Sequence, residues 1–129
     1  MKFILFSISL FLSLNASQIR WIHDYEAALK IAQKYNKKIV LLVVESNCKY
    51  CEKLKSQVYS DDEVIERVFN DFVPLMLNQS YHKIPKKFIS NVVPVTRFIN
   101  YDGSSDFKPI VGASYNAEQL INLSELTFI

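Results

Sequence analysis

Glycine is almost missing from this chain: two residues in 129. That excludes a Gly-rich phosphate loop and a low-complexity linker, and no internal repeat divides the chain. Cysteine is equally sparse, with Cys48 and Cys51 alone, and histidine occurs only at His23 and His82. Structural zinc wants four ligands, usually as two pairs of Cys or His. One Cys pair and two histidines isolated from each other do not supply them. Charge of either sign is nearly balanced, 15 Lys and Arg against 13 Asp and Glu, which gives no case for nucleic acid as a partner. No apolar run approaches the roughly 20 residues that a membrane-crossing helix needs. No Ser/His/Asp set and no paired catalytic carboxylates stand out.

Half of the residues are hydrophobic, which argues for a packed domain rather than disorder. The longest apolar run is Phe3–Leu14, just after Lys2 and just before Leu14-Asn15-Ala16-Ser17. A positive start, a short apolar stretch and small residues form the pattern of a secretory signal peptide. Residues 1–17 are therefore expected to be cleaved near Ala16 or Ser17, leaving one domain over residues 18–129. Retention of this segment as an N-terminal anchor is the alternative. Loss of Lys2 takes the formal charge from +2 to +1. The expected location is periplasmic or otherwise exported.

Export puts the two thiols in an oxidising compartment. A structural disulfide constrains the unfolded chain most when it closes a long loop. A Cys-x-x-Cys bridge closes very little, so the pair reads as a dithiol that cycles between reduced and oxidised states. Its placement strengthens that reading. Ile39–Val44, six β-branched or leucine residues, is separated from Cys48 by only three residues, and a helical pattern begins at the cysteines. A thiol in the first turn of a helix meets unpaired N–H groups that favour the thiolate. Lys49 adds positive charge beside it.

The rest of the chain punctuates clearly. Ile19–Ile22 predicts a short edge strand. Asp24 caps a helix whose stripe is Tyr25, Ala28, Leu29, Ala32 and Tyr35, ended by Asn36-Lys37-Lys38. Ile39–Val44, apolar on both faces, predicts a central strand covered by helices on both sides. Cys51, Leu54 and Val58 face one way along the next helix. Asp61-Asp62 opens another, with Val64, Ile65, Val68, Phe69 and Phe72 on its apolar face. Val73–Leu77 returns as a strand, and 78–91 reads as a basic loop with one helical turn. Val95–Ile99 and Phe107–Val111 predict a strand pair across Tyr101-Asp102-Gly103, with Pro109 marking an edge. Asn116 opens the last helix. The fold class is α/β, a central mixed β-sheet flanked by helices on both faces.

This order resembles the thioredoxin superfamily. Three parts carry the resemblance: Ile39–Val44 leading into Glu45-Ser-Asn-Cys48-Lys-Tyr-Cys51; Val93-Pro94 before Val95–Ile99; and Val111-Gly112-Ala113 leading into Asn116–Leu120. The stretch from Cys51 through Val58-Tyr-Ser-Asp-Asp-Glu-Val64 to Pro74 is similar to exported thioredoxin-like proteins. These include small periplasmic thioredoxins and the C-terminal domain of the disulfide reductase DsbD. The resemblance implies a thioredoxin-like fold and thiol–disulfide exchange, more in the reducing direction. Cys48 would be the attacking thiolate and Cys51 the buried resolving thiol. Pro94 resembles the family's cis-proline, and Val93 with Tyr50 would form substrate-binding surface. No cofactor beyond the redox-active Cys48–Cys51 disulfide and no metal is expected. The implied partners are disulfide-containing exported proteins and a membrane or periplasmic thiol electron donor, with the protein a monomer.

Two departures from the family stand out. A buried acid six residues before the first cysteine is replaced by Leu42, and the tryptophan before that cysteine by Asn47. Glu45 is a candidate substitute acid, or else a solvated residue at the strand end. His82, Lys83, Lys86 and Lys87 form a basic patch that could steer an acidic partner or simply be a solvated loop. The alternatives in function are a peptide-binding or chaperone-like module without efficient turnover, and a Cu(I)- or Zn-binding Cys-x-x-Cys protein.

Overall fold

The computed structural model describes residues 18–129; the expected signal segment, 1–17, lies outside the described residues. Among the described residues, four helices and four strands follow in the order α1 (Tyr25–Tyr35), β1 (Lys38–Val44), α2 (Lys49–Gln57), α3 (Asp62–Asp71), β2 (Phe72–Asn78), β3 (Val95–Ile99), β4 (Ile110–Val111) and α4 (Ala117–Leu126). A single 3-10 turn, Lys86–Phe88, interrupts the loop before β3. The sheet order is β2-β1-β3-β4, with β1 and β2 parallel and the other pairs antiparallel. No helix among the described residues is long and apolar enough to cross a membrane.

The apolar run of β1 divides by strand periodicity. Val40, Leu42 and Val44 point into a core shared with Cys51, Leu54, Val64, Val68 and Leu120 of α2, α3 and α4. Ile39, Leu41 and Val43 point the other way, against Ala28 and Ala32 of α1 and the Phe88 ring. The sheet is thus covered on both faces, as its central strand predicts. Helix ends follow their caps. The Asp24 carboxylate accepts the Ala27 N–H, Asp61 accepts those of Glu63 and Val64, and Asn116 and Gln119 form a reciprocal capping box. Asn36, with φ of 51°, closes α1 in the left-handed conformation that asparagine tolerates.

Several expected elements are shorter or face elsewhere. Ile19–Ile22 contributes one parallel bridge, Ile22 to Leu75, rather than a strand. Phe107–Val111 narrows to Ile110–Val111, because side chains of the preceding turn compete for the backbone: Ser105 Oγ donates to Phe98 O at 2.6 Å, and Pro109 has no N–H to give. Phe69 is 70% exposed, not core, since Val64, Ile65 and Val68 already fill the inner face of α3. Phe72 does pack inside, but as the first residue of β2. Tyr35, at the last turn of α1, is 61% exposed.

Candidate functional site

Beyond Val44 the chain leaves the sheet through Glu45-Ser46-Asn47. Asn47 has φ of 56°, a left-handed backbone that a bulky side chain adopts only with strain. That turn delivers Cys48 as the N-cap of α2. Cys48 Sγ accepts the backbone N–H of Cys51 at 3.1 Å, and the two residues are joined in a disulfide with their Cα atoms 5.2 Å apart. The two sulfurs differ in environment. Cys51 is 1% exposed and lies in the core between β1 and α2, whereas Cys48 is half-buried at its edge. On reduction, the Cys51 N–H and the N-terminus of α2 face Cys48 Sγ, a setting that favours the thiolate there.

The chain before β3 comes up beside this pair. Val93 packs against the same core cluster as Cys48 and also touches the cluster on the opposite face. The Val93–Pro94 peptide bond is cis, and Pro94 is buried. Its carbonyl accepts the Gly112 N–H at 2.8 Å, which ties it to the turn after β4; Gly112 has φ of 88°, a region that glycine enters freely. Cys48, Cys51 and Val93 are thus gathered at one end of the sheet. Tyr50 stands apart, 63% exposed on the outer side of α2.

Leu42 is fully buried, so an apolar group stands where the family carries an acid. Its cross-strand partner is Thr96. The Thr96 hydroxyl is 2.9 Å from Tyr59 Oη and 2.9 Å from Tyr115 Oη. Burial pushes the Tyr59 hydroxyl well above the ordinary tyrosine range, and Tyr115 upward as well, so both stay protonated. Glu45 is neither a free surface carboxylate nor in the core: it accepts a bond from the Gln79 side-chain amide.

The histidines correct an expectation. Far apart in sequence, His23 and His82 stack with centroids 5.0 Å apart along the open edge of β2. His23 Nδ1 donates to Met76 O, and His82 Nδ1 accepts the Asn78 N–H at 2.8 Å. No cluster of three or more His, Cys, Asp or Glu side chains able to hold a metal occurs among the described residues. Of the expected basic patch, Lys87 is engaged rather than free: its Nζ donates to Gly103 O at 3.0 Å and lies over the Phe88 ring.

Gln79, Ser90, Tyr59, Thr96 and Tyr115 are not marked in the sequence. Their bonds join segments distant in sequence, and no spacing pattern marks them.

Comparison with known proteins agrees with this architecture. The model of the thioredoxin-like domain family matches residues 25–126. The mouse protein anterior gradient protein 3 is 29% identical over 98 residues, 76% of this chain; the chain spans 58% of that relative's length. A candidate disulphide-isomerase from Bacteroides thetaiotaomicron has a similar structure, with a TM-score of 0.70 and 25% identity over 84% of this chain and 93% of that one. The oxidised C-terminal domain of DsbD from Neisseria meningitidis superposes with a TM-score of 0.65 at 21% identity, over 82% and 97% of the two chains. Fold and comparisons agree on a thioredoxin-like domain that carries the Cys48–Cys51 disulfide. The chain belongs to the thioredoxin superfamily, in the thioredoxin-like domain family.

Proposed function

We propose that this protein is a thiol–disulfide oxidoreductase of exported proteins and that it works as a reductase. The observation that carries the reading is the asymmetry of the Cys48–Cys51 pair, one sulfur accessible at a helix N-terminus and the other buried behind it. In the reduced protein, the Cys48 thiolate attacks a substrate disulfide and expels one substrate thiolate, forming a mixed disulfide. Cys51 then gives up its proton and attacks Cys48 Sγ. The second substrate sulfur leaves, and the Cys48–Cys51 disulfide re-forms. Two electrons have passed from the protein to the substrate, and an external thiol donor restores the dithiol. The Val93–Pro94 backbone is the surface on which an extended substrate would lie, paired as an added strand. Tyr50, exposed on the outer side of α2, would give the substrate a separate contact.

The reducing direction rests on likeness to the DsbD domain, and export rests on the N-terminal residues, so direction is what the experiment must decide. Equilibration of the pair against glutathione should give a potential near that of thioredoxin, about −270 mV, whereas a value near about −120 mV makes the protein an oxidant. In an insulin-reduction assay, wild-type protein should outpace the Cys48→Ser/Cys51→Ser variant. Equal rates would leave a peptide-holding module instead.

A further inference from the structure

Gln79, the first residue beyond β2, uses its whole side-chain amide between two loops. Nε2 donates to Glu45 Oε1 and to Ser90 O, the latter at 2.7 Å, and Oε1 accepts the Ser90 N–H at 3.2 Å. Its own backbone N–H donates to Val44 O at 2.9 Å, so Gln79 is anchored to the end of β1. The residues beside it reinforce one side of this bridge. Ser80 Oγ accepts the Ser46 N–H at 3.1 Å, and Asn78 Nδ2 donates to Ser46 Oγ at 3.4 Å, two residues before Cys48. On the other side, Ser90 Oγ donates to Val92 O at 2.7 Å and accepts the Val92 N–H at 3.2 Å, next to Val93 and Pro94. One amide therefore links the loop that presents the attacking sulfur to the loop that leads into Val93–Pro94.

We propose that Gln79 is a positioning residue for disulfide exchange with polypeptides: it sets the spacing between the Cys48 loop and the Val93–Pro94 loop. The inference rests on the exchange reading above and assigns Glu45 the role of anchor for this amide rather than proton acceptor for Cys51. A polypeptide disulfide must be held at Val93–Pro94 and attacked by Cys48 at once, so it feels that spacing. A small aromatic disulfide needs only the accessible sulfur, and does not.

The test measures kcat/KM for insulin and for 5,5′-dithiobis(2-nitrobenzoic acid), with the redox potential, in variants shown folded by circular dichroism. Gln79→Leu should lower the insulin value about tenfold, the scale of a lost bond to a charged group, while the small-disulfide rate stays within about twofold and the potential does not shift. Glu45→Gln keeps an acceptor oxygen and should retain insulin activity. Glu45→Ala should fall as Gln79→Leu does, and the double variant no further. If Gln79→Leu fails to fold, Glu45→Ala against Glu45→Gln makes the same comparison. Equal losses on both substrates, a shifted potential, or no loss on either overturn the proposal, as does Glu45→Gln dropping to the level of Glu45→Ala. Wild-type activity no greater than that of Cys48→Ser/Cys51→Ser is a separate result; it overturns the exchange reading, and the positioning role with it.

Discussion

Thr96 is completely buried, and its single hydroxyl serves two tyrosines. Three hydroxyls around one point form at most a short chain of donors, which ends at Tyr115, the most exposed of the three. Thr96→Val keeps the shape of the side chain and removes the shared partner. Buried hydroxyls left unpaired cost about 1–3 kcal/mol each, so the variant should lose stability on that scale, read as a lower urea midpoint with an unchanged slope. A midpoint equal to wild type would mean that the two tyrosines satisfy each other without Thr96. At this scale the sequence shows departures better than replacements. Leu42 and Asn47 stand out at once against the family pattern. What surrounds them does not, because Tyr59, Thr96 and Tyr115 meet only after three separate segments have packed. The left-handed turn at Asn47 gives that departure a local reason: asparagine is one of the few residues that enters it readily.

The open edge of β2 shows how side chains finish an element. Beyond the Ile22 bridge no strand continues, and the next carbonyl and amide on that edge, Met76 O and Asn78 N–H, are taken by His23 and His82. The Asn78 N–H can only donate, so His82 Nδ1 must be unprotonated to receive it. Burial, and then the adjacent His23, hold His82 below the usual histidine value of 6.5. The titratable rings packed on it are those of His23 and Tyr81. A base whose folded pKa is depressed takes up more protons when unfolded. Its stabilisation is therefore complete above pH 6.5 and is lost as the pH falls below that value toward the folded pKa. Stability measured by urea titration at pH 7 and pH 5 should fall more for wild type than for His82→Gln, whose amide oxygen accepts the same N–H at either pH. Parallel losses would remove His82 from the account. Elements of this kind are hard to read from sequence. Strands and helices announced by periodicity, such as β1 and α3, stand where the pattern puts them. Phe107–Val111 shrinks where the Ser105 hydroxyl takes backbone carbonyls, and Ile19–Ile22 reduces to the single Ile22 bridge.

At the scale of the molecule, the topology makes the site. β1 and β2 run parallel, so their C-terminal ends lie together; β3 runs antiparallel to β1, so its start, Val95, lies opposite Val43 near the same end. Three chain segments therefore converge there: the Cys48 loop after β1, the Asn78–Ser80 turn after β2, and Val93–Pro94 before β3. The sequence order of strands and the Cys-x-x-Cys placement already imply the first and third of these, whereas the second carries no recognisable motif. The same convergence orders the two thiols, one outward and one behind it, and the order has a chemical consequence. With Cys51→Ser, the Cys48 thiolate can still attack a substrate disulfide, but nothing behind it can resolve the adduct. This variant should accumulate mixed disulfides with a protein substrate, seen as a mass increase that a reductant reverses. Cys48→Ser should accumulate none, because Cys51 is too deeply buried to be reached by a protein. Capture by Cys48→Ser equal to that by Cys51→Ser would reverse the roles, and capture by neither would mean that the pair does not exchange with proteins at all.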